Sequence, residues 1–235
     1  MLPLRDRNPS GIVPWATYAF IAANVVAFVF QSARPKTELT EFVLQYGLVP
    51  SRVTGALKGE VAFLGGALVP AFSSMFLHGD ILHLLGNMWF LWIFGDNVEG
   101  RLGHLLYVPF YLACGLAAAA LQYVIAPSSP VPMIGASGAI GGVLGAYIVC
   151  WPGARVLTLV PFFYFLHFVE VPAMVLLGIW FLFQFLEGAA SLGVASQGGV
   201  AYWAHIGGFA AGVLLVKLLP DGSPHRAATQ APWRR

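Results

Sequence analysis

Residues 127–151 read PSSPVPMIGASGAIGGVLGAYIVCW, where a segment rich in proline and glycine passes directly into an apolar run. A helix over 137–151 would be about 22 Å long at 1.5 Å per residue, whereas the hydrocarbon core of a bilayer measures about 30 Å. If this run lies in a membrane, non-helical chain must enter the bilayer before the helix begins. Such chain is tolerated only where protein buries it or water fills a cavity. The stretch therefore predicts a polar pocket below the outer membrane surface, with Ser137 at its floor.

The composition of the whole chain indicates a membrane protein. Asp, Glu, Lys and Arg make up 9% of the 235 residues, where a soluble domain carries roughly 25%. Hydrophobic residues make up 58%, which leaves too few polar side chains to cover a surface in water. A net charge of +2, spread along the chain, gives no footprint for nucleic acid. Cys114 and Cys150 lie inside apolar runs, which does not indicate a disulfide framework.

The apolar runs predict an all-α bundle of six membrane-spanning helices. Two further runs, 61–76 and 156–169, are short and contain Pro70 or Pro161, so we expect interfacial or re-entrant pieces there. The first span lacks the small-residue cleavage site of a signal peptide and is expected to be retained. The chain then divides into an N-terminal segment 1–11, a membrane domain 12–219 and a tail 220–235. The six predicted spans are 12–30, 81–98, 104–126, 137–151, 171–190 and 200–219.

The basic residues predict the orientation of these spans. Six spans put eight basic residues on the side of the two termini and four on the other side, all within the long 31–80 connection. Because basic residues accumulate in cytoplasmic loops, both termini are expected in the cytoplasm. The protein itself is expected in the cell membrane of a prokaryote. The two groups are Arg5, Arg7, Arg101, Arg155, Lys217, Arg226, Arg234 and Arg235, against Arg34, Lys36, Arg52 and Lys58.

Two polar residues in the apolar runs are candidates for chemistry. Ser137 stands in Gly135-Ala136-Ser137-Gly138 at the start of the short helix, either as a helix cap or as a nucleophile on a tight turn. His205 lies in the last span, where an ionisable residue is costly and is a functional candidate, although it can also merely join two helices by a hydrogen bond. With alternating spans, both residues lie near the outer face. If 156–169 were a span, they would lie at opposite faces.

Glycines predict close contact between the two helices that carry these residues. Gly141 and Gly145 follow Ser137 at i+4 and i+8, and Gly208 and Gly212 follow His205 at i+3 and i+7. Small residues at these spacings form one helix face that lets another helix approach closely in a membrane. The fourth and sixth spans are therefore expected to pack along these faces.

His83 and Asn87 form a third candidate group. They are four residues apart at the outer end of the second span, so they share one helix face, and their donors suit a developing oxyanion beside the backbone amide of Ser137. A pair of helix-packing polar residues is the alternative. His78 is nearby, but the spacing to His83 and the absence of an HExxH motif do not favour a metal site.

These motifs, in this order, resemble the rhomboid family of intramembrane serine proteases over about 75–221. The resemblance implies that Ser137 is the nucleophile and His205 the general base, that His83, Asn87 and the Ser137 amide form the oxyanion hole, and that Gly135 and Gly138 shape the active-site loop. It also implies cleavage of transmembrane protein substrates near the outer membrane face, among membrane lipids and without a cofactor. This chain departs from the family at Gly141, where some members carry an aromatic residue stacked on the histidine.

Two other functions stay open at this point. A catalytically inactive rhomboid-like protein would bind membrane clients without cleaving them, and the presence of both Ser137 and His205 disfavours that function. A small transporter would use the broken fourth helix and His205 as a solute path, but the two halves of the chain show no inverted repeat.

Overall fold

The computed structural model describes residues 1–162, 165–191 and 201–222, and the predicted tail beyond 222 lies outside them. The protein is mostly helical. Helices α1 to α9 have the bounds Trp15–Ser32, Lys36–Tyr46, Pro50–Leu57, Val69–Ser73, Ile81–Leu102, His104–Ile125, Ser137–Cys150, Ala173–Ala190 and Tyr202–Leu218, with a short π-helix at Leu64–Leu68 and a 3₁₀ turn at Ser74–Phe76.

Six of these helices coincide with the predicted spans. Three of them, α1, α6 and α8, are long and apolar enough to cross a membrane, and a fourth candidate is the bent pair of Leu64–Phe76 and α5, which meet at 78°. The apolar helices α7 and α9 are shorter. Among the described residues, the structure thus supports three or four spans by length and composition, and the count of six stays a prediction.

Helix α5 runs beyond its predicted end at 98 to Leu102, and Glu99 in this extension contacts α1. Glu99 is fully buried and its carboxylate accepts hydrogen bonds from the amides of Ala16 and Thr17, at 2.9 and 2.7 Å, and from the Thr17 hydroxyl. It thereby satisfies free backbone donors at the start of α1. Gly103, with φ of +76°, then separates α5 from α6, a backbone conformation that glycine adopts without steric cost.

A three-stranded antiparallel sheet corrects the all-α prediction. Strand β1, Leu2–Asp6, pairs with β2, Arg155–Phe162, which pairs with β3, Phe165–Pro172. The described residues of the 156–169 run therefore form two strands, and neither a span nor a re-entrant helix, which fits the strand preference of valine, threonine and phenylalanine. Pro161 is accommodated because β1 pairs with β2 only over 156–159.

The sheet is attached to the helices through β1. The Trp89 indole of α5 donates a hydrogen bond to the Pro3 carbonyl at 2.6 Å, and the Asp6 carboxylate accepts from Asn97 of α5 and Tyr147 of α7, both at 2.8 Å. An ion pair of 3.0 Å also joins Arg7, the residue after β1, to Glu170 of β3. The segment before α1 is thus fixed along α5 between Trp89 and Asn97.

Helix α7 is the centre of the molecule. It packs against α5, α6, α8 and α9, and every residue over 138–147 is buried. Tyr147 of α7 and Tyr107 and Tyr111 of α6 are among the largest fully buried side chains of the protein. A helix that other helices enclose does not need the length of a full span, which fits its 14 residues.

Candidate active site

Ser137 and His205 meet through a direct hydrogen bond. Ser137 is the first residue of α7 and His205 lies in the first turn of α9, and Ser137 Oγ is 2.7 Å from His205 Nε2. Both helices therefore begin at the same level of the bundle. A serine hydroxyl bonded to an imidazole nitrogen can pass its proton to that nitrogen, which is the activation that a serine nucleophile requires.

The glycine faces of α7 and α9 lie against each other and determine this distance. A Cβ atom on Gly141 would lie 2.9 Å from the carbonyl oxygen of His205, and one on Gly208 would overlap the carbonyl of Gly138. Gly145 and Gly212 are as close to the backbone of the opposite helix, at Phe209 and Gly142. Only hydrogen fits at these positions, so the two backbones approach more closely than helices with side chains between them could.

Two residues of α8 contact His205 from the other side, and sequence reasoning missed both. Gln184 Oε1 lies 2.5 Å from His205 Nδ1, and the Trp180 ring lies 5.9 Å from the imidazole, centroid to centroid, with an angle of 33° between the planes. Sequence reasoning looked for an acidic partner of His205 and so did not consider the neutral amide of Gln184. The sequence nevertheless indicates this residue, since Gln184 is a polar amide in the apolar 171–190 run, one helical turn after Trp180.

His83 lies beside the loop that precedes Ser137. Its Nδ1 accepts a hydrogen bond from the Gly79 amide at 3.3 Å, so the neutral ring carries its proton on Nε2. A Cβ on Gly135 would lie only 2.8 Å from that Nε2, and Gly135 has φ of +122°, so both its conformation and its surroundings require glycine. The Gly135 amide donates to the Ser74 carbonyl at 2.8 Å, which fixes the loop.

Asn87 lines the same cavity one helical turn further along α5. Its side-chain nitrogen is buried and has no hydrogen-bond partner among the described residues. A buried amide donor without a partner costs free energy unless a ligand or water satisfies it. This donor is therefore available to a group that enters the cavity.

The cavity has a volume of about 900 Å³ and unites the candidate residues. Its lining includes Ser137, His205, His83, Asn87, Gly135 and Trp180. Gly138 also lines it, whereas Gly141, Gly145, Gly208 and Gly212 lie in the helix contact behind it. Within the described residues, no cluster of three or more His, Cys, Asp or Glu side chains could hold a metal ion.

Comparison with known proteins finds the same family in the family model and in the individual relatives. Residues 65–221 match the family model of the Rhomboid domain. RHOMBOID-like protein 4 of Arabidopsis thaliana is 29% identical over 91% of this chain, and Rhomboid protease GluP of Bacillus subtilis (strain 168) is 31% identical over 57%. The human presenilin-associated rhomboid-like protein, mitochondrial, is 31% identical over 55%.

These relatives are longer than this chain. The matched region spans 58% of the plant protein, 24% of the bacterial protein and 36% of the human protein. The likeness therefore concerns the membrane domain that holds the cavity, and what the whole relatives do is not carried over with it.

Proposed function

The chain belongs to the rhomboid family, and on that premise we propose that it is an intramembrane serine endopeptidase that uses Ser137 and His205 as a catalytic dyad. The observation that carries the proposal is the hydrogen bond of 2.7 Å between Ser137 Oγ and His205 Nε2 in a cavity that other polar groups share. The family includes a named protease, GluP, which supports the reaction class.

The first half of the reaction forms an acyl-enzyme. His205 Nε2 takes the Ser137 proton while Oγ attacks the carbonyl carbon of the scissile peptide bond. The carbonyl oxygen becomes an oxyanion, which the backbone amide of Ser137, Nε2–H of His83 and the side-chain amide of Asn87 stabilise. When the C–N bond breaks, protonated His205 gives its proton to the leaving amine.

The second half releases the other fragment by hydrolysis. Water enters the cavity from the outer side, His205 takes a proton from it, and the resulting hydroxide attacks the ester of Ser137. Collapse of the second oxyanion returns the proton to Ser137 Oγ and frees a carboxylate. Each proton taken by His205 is returned within the same half-reaction, so no cofactor is required.

The proposed substrates are single transmembrane segments of membrane proteins, cut near the outer membrane boundary. Their scissile carbonyl must leave its helical hydrogen bond before Ser137 can attack it, so helix-destabilising small residues are expected at the cleavage site. This location depends on six spans with both termini in the cytoplasm, which is part of the proposal.

Cleavage of a transmembrane substrate by the purified protein in lipid vesicles tests the function. Wild type is expected to release two fragments, whereas Ser137→Ala and His205→Ala release neither. Ser32→Ala, at the exposed end of α1, is the matched control and should cleave like wild type. If Ser137→Ala releases the same fragments as wild type, the protease function is excluded, and binding of the uncut substrate would then favour the client-binding alternative.

A further inference from the structure

We propose that Gln184, supported by Trp180, is the positioning residue for His205, so that a neutral amide takes the place that an acid holds in a serine triad. This inference rests on the proposed protease function. It concerns how His205 is held, which neither the family match nor the Ser137–His205 hydrogen bond explains.

The geometry defines what Gln184 does to the imidazole. Its Oε1 is an acceptor, so the ring nitrogen 2.5 Å away, Nδ1, is the one that carries the proton. A neutral imidazole with its proton on Nδ1 has a lone pair on Nε2, which faces Ser137 Oγ at 2.7 Å. Gln184 therefore holds His205 in the one neutral tautomer that can accept the serine proton, as a carboxylate does in a triad.

Trp180 supplies the second restraint. It precedes Gln184 by one helical turn on α8, so both side chains reach His205 from the same helix face. Its ring lies 5.9 Å from the imidazole and also 6.3 Å from Phe209 of α9. The imidazole is thus restrained by an aromatic surface and by a hydrogen bond, both of which come from α8.

Gly141 explains why the restraint must come from α8. A Cβ at this position would already lie 2.9 Å from the His205 carbonyl and 3.4 Å from the Phe209 amide. The close contact of α7 with α9 therefore leaves no room for an aromatic side chain there. A chain that brings these helices so close has to hold its histidine from another helix.

A neutral acceptor suits this place better than a carboxylate. An ionised group in an apolar helix is costly, and a negative charge beside His205 would favour the protonated ring, which cannot act as a base. Gln184 orients the ring without either effect. The other titratable side chains that line the cavity are Asp80, His83 and Tyr202.

The test compares Gln184→Leu, Gln184→Glu and the control Leu182→Ala in vesicles with a cleavable transmembrane substrate. Leu182 is on the same helix, and its side chain is 53% exposed. Gln184→Leu keeps the size but removes the acceptor, so kcat should fall by about ten- to a hundredfold with KM unchanged. The rate at which a fluorophosphonate labels Ser137 should fall with it. Leu182→Ala should match wild type in both measurements.

Gln184→Glu separates positioning from packing. A carboxylate restores the acceptor and stabilises the protonated ring, so activity should return at alkaline pH and the acidic limb of the pH–rate profile should move to higher pH. Recovery of kcat by Gln184→Glu at alkaline pH, which Gln184→Leu should not show at any pH, separates the acceptor from packing. Should Gln184→Leu fail to fold, recovery of the wild-type kcat by Gln184→Glu above the shifted limb decides.

Two results would overturn the inference while leaving the protease function intact. One is a Gln184→Leu protein with kcat within twofold of wild type, and the other is a Gln184→Glu profile that coincides with that of wild type. Cleavage by Ser137→Ala at the wild-type rate would instead remove the proposed function itself, so the two failures are distinguishable.

Discussion

At the scale of single residues, the distance between Ser137 and His205 depends on glycines, which have no Cβ atom. Gly138 and Gly142 present backbone carbonyls to α9, and Gly208 and Gly212 accept them where a Cβ would overlap these groups. No hydrogen bond has to form for this contact, because the close packing of two backbones supplies its van der Waals energy. The position of the proposed dyad is thus determined by residues that have no functional groups.

Gly208→Ala is expected to disrupt the site with one methyl group. The added Cβ overlaps the Gly138 carbonyl, so α7 and α9 must separate, at a cost of about 1–3 kcal/mol for overpacking. Fluorophosphonate labelling of Ser137 should be lost, and the melting temperature should fall. The control is Gly178→Ala on α8, where nothing lies within 4 Å of the added Cβ and labelling should stay at the wild-type rate. Equal labelling of both variants would show that close helix contact does not assemble the dyad.

At the scale of elements, the sequence predicted what repeats locally and missed what depends on distant pairing. The spacing of glycines predicted the α7 and α9 faces because a helix face is defined within about eight residues. The sheet was not predicted because β1 pairs with a strand some 150 residues later in the chain. The proline and aromatic residues of that later run are also typical of an interfacial segment. The contact of Gln184 with His205 was missed for a similar reason, because it depends on the packing of α8 against α9.

The attachment of β1 is expected to respond to pH through Asp6. Burial, together with the nearby charge of Asp96, raises the pKa of this carboxyl from 3.8 to about 6, although the hydrogen bonds from Tyr147 and Asn97 lower it. The folded protein thus binds this proton more tightly than the unfolded chain does, so the contribution of Asp6 to stability rises as the pH falls from about 7 to about 4.

Melting temperatures of wild type and Asp6→Asn between pH 7.5 and 4.5 test this expectation. The difference between the two proteins removes the effects of other titrating groups that they share. Wild type should gain stability relative to Asp6→Asn as the pH falls through about 6. A difference that stays constant over the whole range would contradict a raised pKa for Asp6.

At the scale of the whole molecule, α7 is enclosed by α5, α6, α8 and α9. A helix in this position can be shorter than a full membrane span. The loop before Ser137 contacts the segments that precede α5, through the Gly135–Ser74 hydrogen bond and a backbone bridge between Leu48 and Met133. The non-helical chain that the sequence predicted before α7 is therefore held by these contacts. Residues 131–135 are half-buried and line the cavity, and Ala136 is fully buried.

Labelling of single cysteines from one side of the membrane tests the proposed orientation. In a background where Cys114 and Cys150 are replaced by Ala, Lys58→Cys should react with an impermeant maleimide added outside intact cells. Arg5→Cys should react only after the cells are opened. Both positions are exposed in the structure, so access is limited by the membrane. If the two cysteines react from the same side, the six-span arrangement with cytoplasmic termini is wrong.

The sheet has a consequence for the order in which the protein is made. Leu2 pairs with Leu159, so β1 leaves the ribosome long before its partner exists. At about 5–20 residues per second, the interval is on the order of ten seconds or more. During that time the segments from α1 to α7 are synthesised while the first strand waits unpaired. Pairing of β1 with β2 is thus a late step of biogenesis, because it can occur only after the whole region from α1 to β2 has been synthesised.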